Sequence, residues 1–343
     1  MRLTFVDESI AFDGYSASSQ PLGGPEKALA QLAPALAMRG HAVEVFNRCD
    51  FPVTVEGSKW WPLDGDRPAP SDVLIAVRKA ALLDFVPDSG RRVLWTGGPP
   101  AELDAPAARA LLAARKPTLV FFSRAQLALW ANPDRLDARV IAPGIGPDYV
   151  IDEALQPVEP ARAIAVVHPL AGLDWLIRLW VERIRPRAGS AELHLYSAIL
   201  DKGRLGAVIP APLQRVLAQA QGAAPHGVVI HRPLGDAGMN DAYRRARVLL
   251  HPGFAGEMVG ASLAESQAAG LPAVVRAVSP VAPERVIDRE TGALAATDDQ
   301  FADAAVALLT DRVAFERMSR NAKLLQRGRT WPIVAAEWED LLR

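Results

Sequence analysis

The sequence predicts an α/β chain of two doubly wound, Rossmann-like domains. Short β-rich runs recur with helix-like stretches between them, the alternation of a parallel sheet covered on both faces. A polar, proline-bearing stretch, "IDEALQPVEPAR" at 151–162, splits these runs into two series and reads as a linker. The length agrees, since 343 residues exceed what one ordinary core holds. We expect domains over 1–155 and 156–328 and a closing helix over 329–343.

In the first series the strands are "RLTFV" at 2, "AVEVF" at 42, "DVLIAV" at 72, "RRVLW" at 91, "TLVFF" at 118 and "ARVIA" at 138. The clearest helix opens at Pro25, a favourable first-turn residue, and puts Ala28, Leu29, Leu32, Leu36 and Ala37 on one face. Gly40 suits its C-terminal stop. The second series runs through "AIAVV" at 163, "ELHLY" at 192, "GVVIH" at 227, "RVLLH" at 247 and "PAVVR" at 272. At the end, "TWPIVAAEWEDLLR" reads as an amphipathic helix with Val334, Trp338 and Leu341 or Leu342 on its apolar side.

Composition narrows the function. Lys plus Arg (38) nearly cancels Asp plus Glu (39), so no global field attracts nucleic acid or an acidic membrane, although a local basic patch and peripheral membrane contact stay open. Cys49 is the single cysteine, which excludes an intrachain disulfide framework and suits the reducing cytoplasm. The first ten residues hold no signal-peptide core, and no apolar run reaches membrane-spanning length. The six histidines form no close ligand pair on one helix, so no metal site is expected, and Walker, G-x-G-x-x-G and G-x-S-x-G patterns are missing from their required contexts.

The stretch that carries chemistry is "HPGFAGEMVGASLAESQAAGLP" at 251–272. A strand ends near His251, a turn holds Gly253 and Gly256, and a helix begins near Val259 or Gly260. Such a helix start offers free backbone N–H groups and a positive dipole end to an anion such as a diphosphate. Glu257 falls in the turn and Glu265 two turns along the helix. Ionised carboxylates accept from vicinal hydroxyls, so this pair suits a sugar nucleotide, while ordinary helix-start acids remain the structural alternative.

Glu257 and Glu265, with seven residues between them, and the following "AESQAAGLPAVVRAVSPVAPERVIDRETGALA" resemble the nucleotide-sugar motif of retaining GT-B glycosyltransferases of the group-4 type (glycosyl transferases group 1). "PLGGPEKALAQLAPALAMRGHAVEVF" is similar to that family's glycine loop, first long helix and second strand, and "GLDWLIRLWVERIRPRAGSAELHLY" to the opening of its nucleotide domain. The likeness covers nearly the whole chain and is weak over 50–140.

The resemblance implies a GT-B fold whose final helix crosses back to the first domain and whose substrates meet between the domains. Glu265 would hold the ribose hydroxyls, and Glu257 would orient the donor sugar as the catalytic carboxylate. The amides of Met258, Val259, Gly260 and Ala261, in a turn with Gly253 and Phe254, would line the sugar and diphosphate. Arg232, in "HRPL", would lie near the base, and Gly23 and Gly24 would let the first-domain loop approach the phosphates or acceptor.

The family's usual arginine and lysine in the first strand-to-helix turn of the second domain are absent: "VVHPLAGLD" offers His168 and Ala171. Arg78, Lys79, Arg124, Lys202 and Arg204 are the cations that could replace them, and "RRVLWTGGPPAEL" offers Thr96, Gly97 and Gly98 where many relatives place a histidine. The expected function is retaining transfer of a sugar from a nucleoside-diphosphate sugar to an unknown acceptor, without a cofactor, in carbohydrate biosynthesis. The alternatives are a catalytically inactive glycosyltransferase-like partner protein and a sugar-nucleotide epimerase.

Overall fold

The computed structural model describes residues 1–66, 68–151 and 155–343, so residues 152–154 of the expected linker lie outside the described residues. The chain forms two compact units, Met1–Gly146 with Arg329–Arg343, and Pro147–Gly328.

Each sheet follows one winding rule. In the first unit, β1 (Arg2–Val6), β2 (Ala42–Asn47), β3 (Val53–Val55), β4 (Ser58–Pro62), β5 (Ser71–Val77), β6 (Ser89–Thr96), β7 (Thr118–Phe121) and β8 (Ala138–Val140) pair in the order β3-β4-β2-β1-β5-β6-β7-β8. All neighbours are parallel except β3 and β4, a hairpin at the edge that the sequence reading did not anticipate. Order reverses between β1 and β5, so the carboxyl ends of these two strands flank a switch point. Leu3 and Phe5 of β1 and Leu74 to Val77 of β5 are buried, as a sheet covered on both faces requires. Helix α1 (Gly24–Met38) starts with Pro25 in its first turn and buries Leu29, Leu32 and Leu36 as expected. Helix α2 (Pro106–Arg115) packs farther along the unit.

The second unit holds β9 (Arg162–Ala165), β10 (Glu192–Tyr196), β11 (Val228–His231), β12 (Val248–His251), β13 (Ala273–Arg276) and β14 (Gly292–Ala295), paired β11-β10-β9-β12-β13-β14 and parallel throughout. Numbered within the domain, this is the 3-2-1-4-5-6 order of a dinucleotide-binding fold, with its switch point between β9 and β12. Its helices include α3 (Leu173–Leu179), α4 (Ala211–Gly222), α5 (Asp236–Arg244), α6 (Ala261–Ala269), α7 (Asp298–Thr310) and α8 (Arg312–Gln326). The signals for α7 and α8 are local: Thr297 and Gln300 form a capping box, and the Asp311 carboxylate accepts from the N–H groups of Val313 and Ala314.

The boundary between units falls at Gly146–Pro147 instead of at 155. Packing decides this, because Tyr149 is buried in the second unit, where its hydroxyl donates to Asp236 Oδ1 at 3.0 Å and its ring lies 6.1 Å from that of Tyr243. The closing helix, α9 (Trp331–Leu342), groups with the first unit. Val334, Trp338 and Leu342 are its buried apolar residues, and Trp338 packs edge-on to Trp95 at 5.1 Å.

Candidate active site

The β12–α6 turn gathers most of the predicted donor-binding residues at the carboxyl end of β12, beside the switch point. Two glycines shape it. Gly253 has φ +61°, and a Cβ there would stand 2.5 Å from the carbonyl oxygen of Arg276. Gly260 has φ +64° and forms the N-cap of α6 with no side-chain hydrogen bond, so helix residues begin at Ala261. No acidic residue occupies the first helical turn. The amide end of α6 is therefore uncapped by side chains, the arrangement that receives anions.

Glu257 is only 7% exposed and is held from both sides. His251 Nδ1 accepts the N–H of Gly253 at 3.1 Å, which assigns the ring proton to Nε2. That Nε2–H faces Glu257 Oε1 at 3.0 Å, while the Ser279 hydroxyl donates to Oε2 at 2.5 Å. A carboxylate has about four lone-pair positions, so roughly two remain for outside hydroxyls once these bonds are made. Glu257 is legible in the sequence, and its two partners are not. His251 ends a strand and resembles any core histidine, and Ser279 is contributed from 22 positions away.

Glu265 sits in the second turn of α6, 8% exposed. Its charge acts on Tyr149 and Tyr243: burial first, then Glu265 and Asp236, push both phenols well above their ordinary range. Glu265 thus belongs to a buried neighbourhood of two tyrosines and Asp236 on α5. That neighbourhood depends on residues 149–150 joining this unit, which local sequence did not reveal.

Of the other predicted residues, Met258 is buried, Val259 half-buried and Phe254 exposed on the same turn. Arg232 is exposed just after β11, where the His231 ring stacks on Tyr196 at 4.9 Å. Gly23 and Gly24 belong to the first unit, as N-cap and first residue of α1. A Cβ at Gly23 would stand 2.5 Å from Glu26 Oε2, so this glycine makes room for a buried carboxylate of its own unit.

The cations are distributed differently from the candidates named above. His168 is exposed in the β9–α3 turn, and Gly172 of that turn (φ +89°) packs on Pro252. Arg78 is engaged in its own unit by Glu26, with Asp7 Oδ2 3.8 Å from its Nε, and Lys79 and Arg204 pair with Glu8 and Asp201. Burial raises the Asp7 carboxyl above its usual value, against the opposing hydrogen bonds from Ser9 and the charge of Arg78. Beneath the β12–α6 turn lies a buried guanidinium with no local sequence signal: Arg285 donates through Nε and Nη2 to the Val259 carbonyl at 3.2 and 3.0 Å. Its carbonyl is held in turn by Gln267 and Gln326.

Two doubly wound units, the second with an open helix start and a buried carboxylate at its switch point, define the architecture of the GT-B fold. Residues 163–311, within the second unit, match the family model described as glycosyl transferases group 1. The sucrose-phosphate synthase of Thermosynechococcus elongatus superposes over 99% of this chain and 98% of its own, at 14% identity and a TM-score of 0.74. The Anabaena HepE protein, solved in complex with UDP and glucose, covers 100% of this chain and 99% of its own at 13% identity and a TM-score of 0.71. An α,α-trehalose-phosphate synthase (UDP-forming) from Burkholderia xenovorans, in complex with glucose-6-phosphate, does so over 100% of both chains, also at 13% and 0.71. At these identities the likeness is one of fold. No curated protein is similar enough in sequence to be matched.

Proposed function

We propose that this protein transfers a sugar from a nucleoside-diphosphate sugar to an acceptor with retention of configuration, in the cytoplasm and without a resident metal. The observation that carries this reading is the uncapped amide end of α6 beside a carboxylate, Glu257, fixed by His251 and Ser279. Free N–H groups and the helix dipole suit a diphosphate, and the nearby Arg285 guanidinium adds positive field where charge develops on the leaving group. Glu257, unable to rotate without losing two bonds, would orient the sugar hydroxyls in a preorganised geometry. The departing phosphate oxygen then takes the acceptor's proton on the face it leaves, and no side chain need be glycosylated. Glu265 would accept from the ribose hydroxyls.

Thermal unfolding against UDP, GDP, ADP, dTDP and their sugars, with and without magnesium, tests the reading. A true donor at 100 times its Kd stabilises by about 2.7 kcal/mol. Glu265→Gln exchanges a charge-assisted bond worth roughly 1.5–3 kcal/mol for a neutral one and should weaken nucleotide binding about tenfold. Unchanged affinity in that variant refutes the ribose assignment. Silence across the whole panel refutes the donor reading and favours a non-catalytic partner role, consistent with the missing basic pair at His168 and Ala171.

A further inference from the structure

Away from the β12–α6 turn, a basic cavity of about 420 Å³ lies at the amino end of β12 in the second sheet. Arg247, Arg312, Arg320 and Lys323 line it, together with Phe315 and Glu316. Its position follows from the chain: Arg247 directly precedes β12, and the Lys323 stem lies over Gly270, which follows the last turn of α6. The donor turn leaves β12 at its other end, so the two places are separated by the length of a strand.

Helix α8 supplies most of this surface. Its inner side packs through Phe315, Ser319, Ala322 and Gln326, while Val313 and Leu324 stand 77% and 82% exposed on its outer side. Those two residues are three turns apart on one stripe, about 16 Å along the axis. Arg317 and Arg320 lie between them on the same exposed face. Glu316 pairs with Arg312 at 2.7 Å, and Glu159 with Arg247 at 2.9 Å. Arg317 makes no ion pair among the described residues, and Arg320 reaches Glu316 through its charge alone, after the closer Arg312. On a chain whose net charge is −1, this is a concentrated positive face with apolar side chains set into it.

We propose that this face docks on an anionic phospholipid surface, with one headgroup phosphate seated in the cavity and Val313 and Leu324 entering the headgroup region. Charge complementarity selects an anionic partner. The exposed apolar stripe decides between partners, because a soluble phosphate or a nucleic acid backbone gives Val313 and Leu324 nothing to contact, whereas a lipid interface takes both features together. No helix of the described residues is long and apolar enough to cross a membrane, so this attachment is peripheral.

Co-sedimentation of the full chain with vesicles rich in phosphatidylglycerol, compared with pure phosphatidylcholine vesicles, tests the proposal. The protein should pellet with the former and not the latter. Arg317→Ala with Arg320→Ala should lower the partition coefficient roughly 25-fold, at about fivefold per cation lost. Val313→Ser with Leu324→Ser should lower it as well, with the melting temperature unchanged in both variants. Equal pelleting with the two vesicle types, or no effect of the arginine pair, overturns the proposal. Binding that soluble glycerol phosphate abolishes, and to which Val313 and Leu324 are indifferent, also overturns it and identifies a free phosphate site instead.

Discussion

Replacing Gly253 by alanine tests how the β12–α6 turn is built. Two costs are involved. Alanine at φ +61° loses about 1–2 kcal/mol relative to a residue in the ordinary helical or extended region. The new Cβ would also stand 2.5 Å from the Arg276 carbonyl oxygen, which accepts the N–H groups of Val278 at 2.8 Å and Ser279 at 3.5 Å. Moving that carbonyl endangers bonds worth roughly 0.5–1.5 kcal/mol each.

The total is about 2–5 kcal/mol, or roughly 4–20 °C in the melting temperature of a unit of this size. Gly206→Ala is the control: it lies in the same unit at φ +96° with nothing within 4 Å of its added Cβ, so it bears the backbone cost alone. Both variants restrict the unfolded chain equally, so that contribution cancels in the comparison. Denaturant titration of the two, followed by nucleotide binding, is the assay. Because the Gly253 N–H fixes His251, and His251 fixes Glu257, the Gly253 variant should also bind donor more weakly. Equal stability of the two variants would refute the argument from close approach.

Two further outcomes are expected in the first unit. Trp338→Ala should destabilise it by about 3–5 kcal/mol, because the ring is fully buried against Trp95 and Phe5. The indole N–H has no partner among the described residues, so packing alone is lost, and a calorimetric shift well below this range would contradict the docking of α9. Glu339, held by Arg39 and His41, has its carboxyl pulled from 4.5 down to about 2. A depressed acid stabilises the folded state above its unfolded pKa and loses that contribution as pH falls through the folded one. The stability gap between the native protein and Glu339→Gln should therefore be constant above about pH 5 and close between roughly pH 4.5 and 2; a gap independent of pH would show that the ion pairs with α9 do not form in solution.

Much of this was legible because it is local. Apolar runs of strand length at both ends of polar helices predicted eleven strands' positions closely, and Pro25 and Gly40 bracketed α1 where the structure has it. The edge hairpin β3–β4 and the short β14, "GALA", were missed, since small residues and a tryptophan pair carry little alternation. Gly253, Glu257, Gly260 and Glu265 were also readable, because turn, helix start and carboxylates are contiguous.

What the sequence by itself determined was the two-domain winding and the strand, turn and helix that carry Glu257 and Glu265. Tertiary structure alone decided the rest. Ser279 and His251 became partners of Glu257 only when three segments met at one sheet edge, and Arg285 reached Val259 from 26 positions away. The unit boundary moved to Gly146–Pro147 because the Tyr149 hydroxyl and ring find their partners on α5, while α9 returned to the first unit to bury Trp338. The physical reason is the same each time: strand and helix periodicities are written into neighbouring residues, whereas the partners of a buried polar or aromatic group are set by which surfaces the fold brings together.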